Sequence, residues 1–192
     1  AEALGTVSGL PVQVLDENGR IDKQCGASCE YCQIFRRFLK PGETCESLHA
    51  LAGRRAMDLG ESYIFTCHAG AYHIVMPLVS ANEFGGAVLL GPFMLGALDS
   101  TLLQEVARRY DVPTDALLDM YDAAGTLKSL SAEEAGAMCQ MMSFLFSELG
   151  DMSLEARRGR ALQQSRIGEF IQTYKGFESA SPAYPLEKER AL

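Results

Sequence analysis

An α+β fold, with an antiparallel sheet covered by helices, is what this sequence predicts, and three observations predict it. Residues 63–95 hold three apolar, strand-like runs joined by short links, the mark of an antiparallel meander. Two helical patterns stand directly before that meander. After residue 99 the periodicity is helical only and ends in a long connector helix.

Taken in order, residues 6–15 read as a short strand pair broken by Gly9 and Pro11, followed by a turn at Glu17-Asn18-Gly19. From Cys29 to Lys40 the pattern is helical, with Cys32, Phe35 and Leu39 on one face and Pro41-Gly42 as the stop. Thr44 to Leu59 is a second helix, with Cys45, Leu48, Ala52, Ala56 and Leu59 along one face and Gly60 at its end. The strands are Tyr63–Cys67, His73–Ser80 and Phe84–Leu95, linked by the loop His68-Ala69-Gly70-Ala71 and a turn at Asn82-Glu83. Pro77 predicts an edge or a bulge, and Gly85, Gly86 and Gly91 predict bulges or close approaches. Ser100–Tyr110 is a helix capped by Asp99 or Ser100, and Pro113–Asp122 is another. Ser131 and Glu134 form a capping box for the long helix that follows. Met138, Met142, Leu145, Leu149, Met152 and Ala156 suit either a dimer-forming seam or a core stripe.

Residues 1–150 form the body, and residues 151–192 read as connector helix and linker, with a last helix starting at Glu187. That late start, and an N-terminal Ala1, predict that further domains belong to the protein. No apolar run reaches the roughly 20 residues that cross a bilayer, so no membrane is expected. A net charge of −8 argues against nucleic-acid contact by this piece alone.

The six cysteines, Cys25, Cys29, Cys32, Cys45, Cys67 and Cys139, read as free thiols in a reducing cytoplasm. Cys25, Cys29 and Cys32 also carry the C-x3-C-x2-C spacing of a radical-SAM iron–sulfur loop. The repeated strand–helix units and glycine-rich segment of such enzymes are missing. What survives as the alternative is a cysteine-based metal or redox sensor, with Cys45 or Cys67 as fourth ligand. A Cys67 nucleophile paired with His68 or His73 lacks an orienting carboxylate. His49, on a helix, reads as solvated.

A binding pocket is the favoured reading. Tyr63, Phe65 and Cys67 share a strand face, placed next to Met76 and Met94 of the neighbouring strands, with His73 nearby. Cys32, Phe35 and Cys45 come from helices that cover the sheet. Such a lining is apolar and polarizable, suits a small, mostly hydrocarbon ligand, and needs no cofactor.

The stretch from Cys32 to Leu90 resembles the PocR sensory domain. The resemblance rests on Cys32, Cys45, the run Cys67-His68-Ala69-Gly70, Pro77 and Gly91. Pro92 and Ala71 depart from it, standing where Gln and Leu are usual. The resemblance implies a PAS-like sheet with helices over one face, no catalysis, and binding of small hydrocarbon derivatives such as short diols. Tyr184–Leu192 is similar to the segment joining such domains to AraC-type helix-turn-helix domains in bacterial transcriptional regulators. This implies a cytoplasmic homodimer, joined through the C-terminal helix, that contacts DNA only through a domain absent from this chain.

Overall fold

The computed structural model describes residues 1–80 and 83–149. The chain runs α1 (Glu2–Ser8), β1 (Val12–Leu15), β2 (Ile21–Cys25), α2 (Glu30–Phe35, continued by a 3-10 turn at Arg36–Phe38) and α3 (Cys45–Leu59). It continues with β3 (Tyr63–Thr66), β4 (Tyr72–Ser80), β5 (Glu83–Leu95), α4 (Ser100–Arg109), α5 (Thr114–Gly125), β6 (Ser129–Leu130) and α6 (Ala132–Leu149). The α+β class is as the sequence predicts.

The predicted meander of β3, β4 and β5 is present, but it is only half of the sheet. The strand order is β2-β1-β5-β4-β3, antiparallel throughout, with β6 added in parallel to the end of β5. β5 is therefore a central strand, which explains its long buried stretch. Pro77 stands beyond Tyr63↔Val75, the last pair between β3 and β4, so its missing N–H falls where β4 has only β5 beside it.

Helices cover both faces of this sheet, not the one face expected. On one side α3 places Ala52 and Ala56 against Leu15, Val75, Ala87 and Leu89. Small residues let it lie close: a Cβ on Gly53 would come within 2.6 Å of the Phe84 ring. On the other side Ala135 and Met142 of α6 meet Val12, Ile74, Met76, Val88 and Leu90. A third cluster joins α2, α4 and α5 around Phe35, Met94, Leu103, Tyr110 and Met120.

Three further expectations are corrected. Thr6–Ser8 is helical rather than extended, because α1 docks Leu4 on the α6-side cluster. β2, which the sequence left unmarked, is an exposed polar edge strand defended by Asp22 and Lys23. The first members of the proposed seam pack inward: Met142 is fully buried and Met138 lies against the same cluster, while Leu145 is exposed. The Leu149 side chain, Met152, Ala156, the linker and the late helix lie outside the described residues, as does Asn82.

The predicted caps are in place. Asp99 accepts from Thr101 N–H, and Ser131 and Glu134 exchange the two bonds of a capping box; Thr44, expected inside its helix, instead caps it by accepting from Ser47 N–H. The predicted bulges are there too. The β4–β5 register shifts across Gly91-Pro92 and again at Gly85, beside Gly86. Gly86 has φ +135°, and a Cβ there would collide with the Leu15 carbonyl oxygen. Gly86→Ala is expected to lower the unfolding free energy by about 2 kcal/mol, since it adds backbone strain to a clash with main chain. A denaturant midpoint unchanged from the parent protein would refute this.

Candidate functional site

A cavity of about 110 Å³ opens at the junction of α2, the start of α3, the loop after β3 and the β1–β2 edge. Gln13, Ile21 and Gln24 form its strand wall, and the segment 27–36 contributes Cys29, Cys32, Phe35 and Arg36. α3 supplies Cys45, Leu48 and His49, and the β3–β4 loop supplies Cys67, His68 and Ala69. His73 and Pro92 close it.

Each wall is held by local chemistry. Tyr31 is fully buried, and its hydroxyl donates to the Ala69 carbonyl, tying α2 to the loop that carries Cys67 and His68. Burial pushes the Tyr31 phenol up, so it stays a donor. The loop itself is tight: Cys67 N–H donates to Ala71 O at 2.8 Å and Gly70 N–H to Cys67 O at 3.0 Å. Gly70 supplies the φ of +79° that this turn needs. At Gly91 a Cβ would sit 2.9 Å from Tyr72 O and 3.2 Å from the His73 ring, so the glycine leaves room for that imidazole.

Two imidazoles of the cavity each carry a buried nitrogen without a hydrogen-bond partner. His73 is 4% exposed and its Nδ1 has no hydrogen-bond partner. His68 Nδ1 lies 3.1 Å from the Tyr110 hydroxyl, while its buried Nε2 has no partner. A buried, unpaired donor or acceptor costs about 1–3 kcal/mol, so both nitrogens favour a polar guest. The His49 and His73 rings lie 5.6 Å apart, and His73 stacks on Phe65 at 5.4 Å. Burial lowers His49 to about 4 and His73 to about 3, so both are neutral near pH 7. Burial also pushes the Cys67 thiol up to about 12, which keeps it an uncharged thiol. Arg36 brings a guanidinium to the lining, and Glu46 stands 3.9 Å from it.

Of the nine residues expected to form the pocket, the structure brings Cys32, Phe35, Cys45, Cys67 and His73 to one cavity. Phe65 stands one layer behind, against His73. Tyr63 packs with the α3-side cluster and Met94 with the α2–α4–α5 cluster. Met76 is placed on the opposite face of the sheet, in the α6-side cluster, because Tyr63 and Phe65 pair with Val75 and His73 and the intervening strand position points the other way.

The cysteine set divides as well. Cys29, Cys32, Cys45 and Cys67 share the cavity, whereas Cys25 ends β2 and packs against the α6-side cluster. Among the described residues no three His, Cys, Asp or Glu side chains are grouped so as to hold a metal ion. All six cysteines are free thiols in the structure.

Three site residues escaped the sequence. His49, read as solvated, is 7% exposed and faces the cavity. Its spacing was the available signal: Cys45, His49, Ala52 and Ala56 follow a helical stripe with one imidazole in it. Gln13 and Gln24 could not be found that way, since they come from a strand pair whose pairing the sequence leaves unmarked; their side chains bond at 3.3 Å.

Residues 1–154 match the family model described as the sensory domain found in PocR. The chain is also 27% identical over 95 residues to the regulatory protein PocR of Salmonella typhimurium, a match covering 50% of this chain and 31% of that relative. No solved structure matches. Among the described residues no helix is long and apolar enough to cross a membrane.

Proposed function

Because the chain belongs to the PocR sensory-domain family, a family of regulatory sensory domains and not of enzymes, we propose that its cavity is the receptor site for a small organic ligand. The carrying observation is the pair of buried, unpartnered imidazole nitrogens, His73 Nδ1 and His68 Nε2, in a cavity that also offers apolar side chains and four thiols. A neutral imidazole nitrogen that lacks a proton accepts a hydrogen bond. A hydroxyl group can also donate or accept according to the tautomer opposite it. A short hydrocarbon bearing one or two hydroxyls satisfies both nitrogens and buries its methylenes on Phe35, Leu48 and the thiols. A volume of about 110 Å³ suits a ligand of few heavy atoms.

Ligand binding then acts by population shift, favouring one arrangement of the elements around the cavity. In this reading the shift passes through α6 and residues 150–192 to a helix-turn-helix domain of the AraC type. A cytoplasmic homodimer presents two such domains to DNA. Support for that output is the resemblance of Tyr184–Leu192 to a joining segment and the regulatory role in the printed name of the Salmonella relative.

The test is a thermal-shift and calorimetric screen of the chain against short-chain diols and the matching monoalcohols, with His73→Phe beside the parent protein. At least one diol is expected to raise the melting temperature. His73→Phe, which keeps a ring and removes the acceptor, should weaken that ligand about 10-fold or more. Absence of any shift across the panel, or equal affinity in a folded His73→Phe variant, overturns the assignment.

A further inference from the structure

We propose that Cys29 and Cys32 form a thiol–disulfide exchange site on the cavity wall, one that reacts with low-molecular-weight disulfides. This goes beyond ligand sensing and stands or falls without it.

The geometry comes first. Both thiols line the cavity, and neither is bonded to another cysteine. Cys29 immediately precedes α2 and Cys32 lies within its first turn, and the Cys32 N–H donates to Cys29 Sγ at 3.3 Å. Helical geometry puts Cα atoms three positions apart at about 5 Å, inside the window of about 4.4–6.8 Å that a disulfide spans. Closing the bond therefore needs side-chain rotation and little backbone movement. Cys25, the other half of the C-x3-C-x2-C run, packs against a different cluster and takes no part.

The two sulfurs are also unequal. Hydrogen bonds from the Cys32 thiol and from backbone N–H groups, with Arg36 nearby, lower the Cys29 thiol against the opposing effect of burial. Its partner Cys32 is raised, since it gives its proton to that hydrogen bond and is itself buried. A half-buried, cavity-facing nucleophile of lowered pKa beside a protonated resolving thiol is the division of labour that exchange chemistry uses.

The reaction balances as follows. The Cys29 thiolate attacks one sulfur of an external disulfide, that S–S bond breaks, and one small thiolate departs and takes up the proton Cys29 released. A mixed disulfide remains on Cys29. Cys32 then loses its proton, its sulfur attacks Cys29 Sγ, and the second small thiol leaves with that proton. Two electrons pass from the cysteine pair to the external disulfide, which ends as two thiols. A reduced small thiol in excess runs the sequence backward.

The test uses the 192-residue chain in glutathione buffers of stepped oxidised-to-reduced ratio, quenched by alkylation and read by peptide mass mapping. Expected in the parent protein is a Cys29–Cys32 peptide lighter by two hydrogens at oxidising ratios, reverting at reducing ones. Cys32→Ser should arrest with one glutathione on Cys29, and Cys29→Ser should leave Cys32 reduced. At neutral pH Cys29 should alkylate on the order of 10-fold faster than Cys139, which lies outside the cavity. The proposal is overturned if both thiols are recovered alkylated at every ratio, if Cys45 or Cys67 takes Cys29's place in the bond, or if Cys32→Ser carries no glutathione. Should a serine variant fail to fold, the parent protein's peptide map decides alone.

Discussion

Taking the protein from pH 7 to pH 4 is expected to remove roughly 3–6 kcal/mol of stability through two buried imidazoles. Burial depresses His49 to about 4 and His73 to about 3, against an ordinary value of 6.5. Between those values the unfolded chain binds protons that the folded chain refuses. The stability is thus fully present above about pH 6.5 and is lost progressively as the pH falls through 4 toward 3. Glu46 works against the shift at His49, while Arg36 and His68 reinforce it. Carboxylates titrate over part of the same range, so the informative comparison is with the double variant His49→Gln/His73→Gln. Its plot of unfolding free energy against pH should be markedly flatter between 6.5 and 4. Equal slopes in the two proteins would show that the imidazoles are not held neutral by burial. A ligand hydroxyl that donates to the neutral His73 nitrogen would lose that acceptor only as the pH nears 3, where the fold itself is lost.

Phe35→Ala is expected to cost about 3–5 kcal/mol, the range for truncating a buried phenylalanine. Phe35 is 1% exposed and belongs at once to the α2–α4–α5 cluster and to the cavity wall. Its ring meets Tyr110 edge to face, with centroids 4.9 Å apart and planes at 86°. Such pairs add about 0.5–1.5 kcal/mol beyond area burial. Tyr110 is in turn the partner of His68, so the substitution removes one neighbour of the group that holds a cavity histidine in place. Chemical denaturation gives the stability change directly. A loss below about 1 kcal/mol would mean that the cluster collapses around the gap, and that Phe35 is not the keystone between core and cavity. Phe35→Leu should fall between the two.

How much of this was legible depends on the range of the signal. The starts of α4 and α6 were readable because a cap is written in residues two or three apart: Asp99 to Thr101, Ser131 to Glu134. The glycines of β5 were readable because a bulge needs a residue free of a Cβ, and Gly85 and Gly91 sit where the register shifts. The loop Cys67-His68-Ala69-Gly70 was readable both as a turn and as a family signature. Five of the expected pocket residues meet because α2, α3 and that loop each deliver a thiol or a ring to one junction.

What stayed hidden needed a partner distant in sequence. α1 contains Gly5, Thr6 and Val7, weak helix formers, and its helical state goes with Leu4 docking on the far cluster. β1 finds its neighbour in β5 on the other side of two helices and three strands, a pairing no local pattern announces. The displacement of Met76 from the pocket follows from register alone: strand parity alternates, and one pairing, Phe65 with His73, decides which face each residue takes.

The sequence by itself determined the class of fold, the caps and breaks of its helices, the meander, and the family to which its cysteines and its Cys-His-Ala-Gly turn belong. Those features live within a few residues of chain, where sterics and single hydrogen bonds decide. Only the tertiary structure decided which thiols face one another, that His49 is buried, and that Cys25 is turned away. Those outcomes rest on burial and on strand register, which are properties of the whole packed chain and are set by no short segment of it.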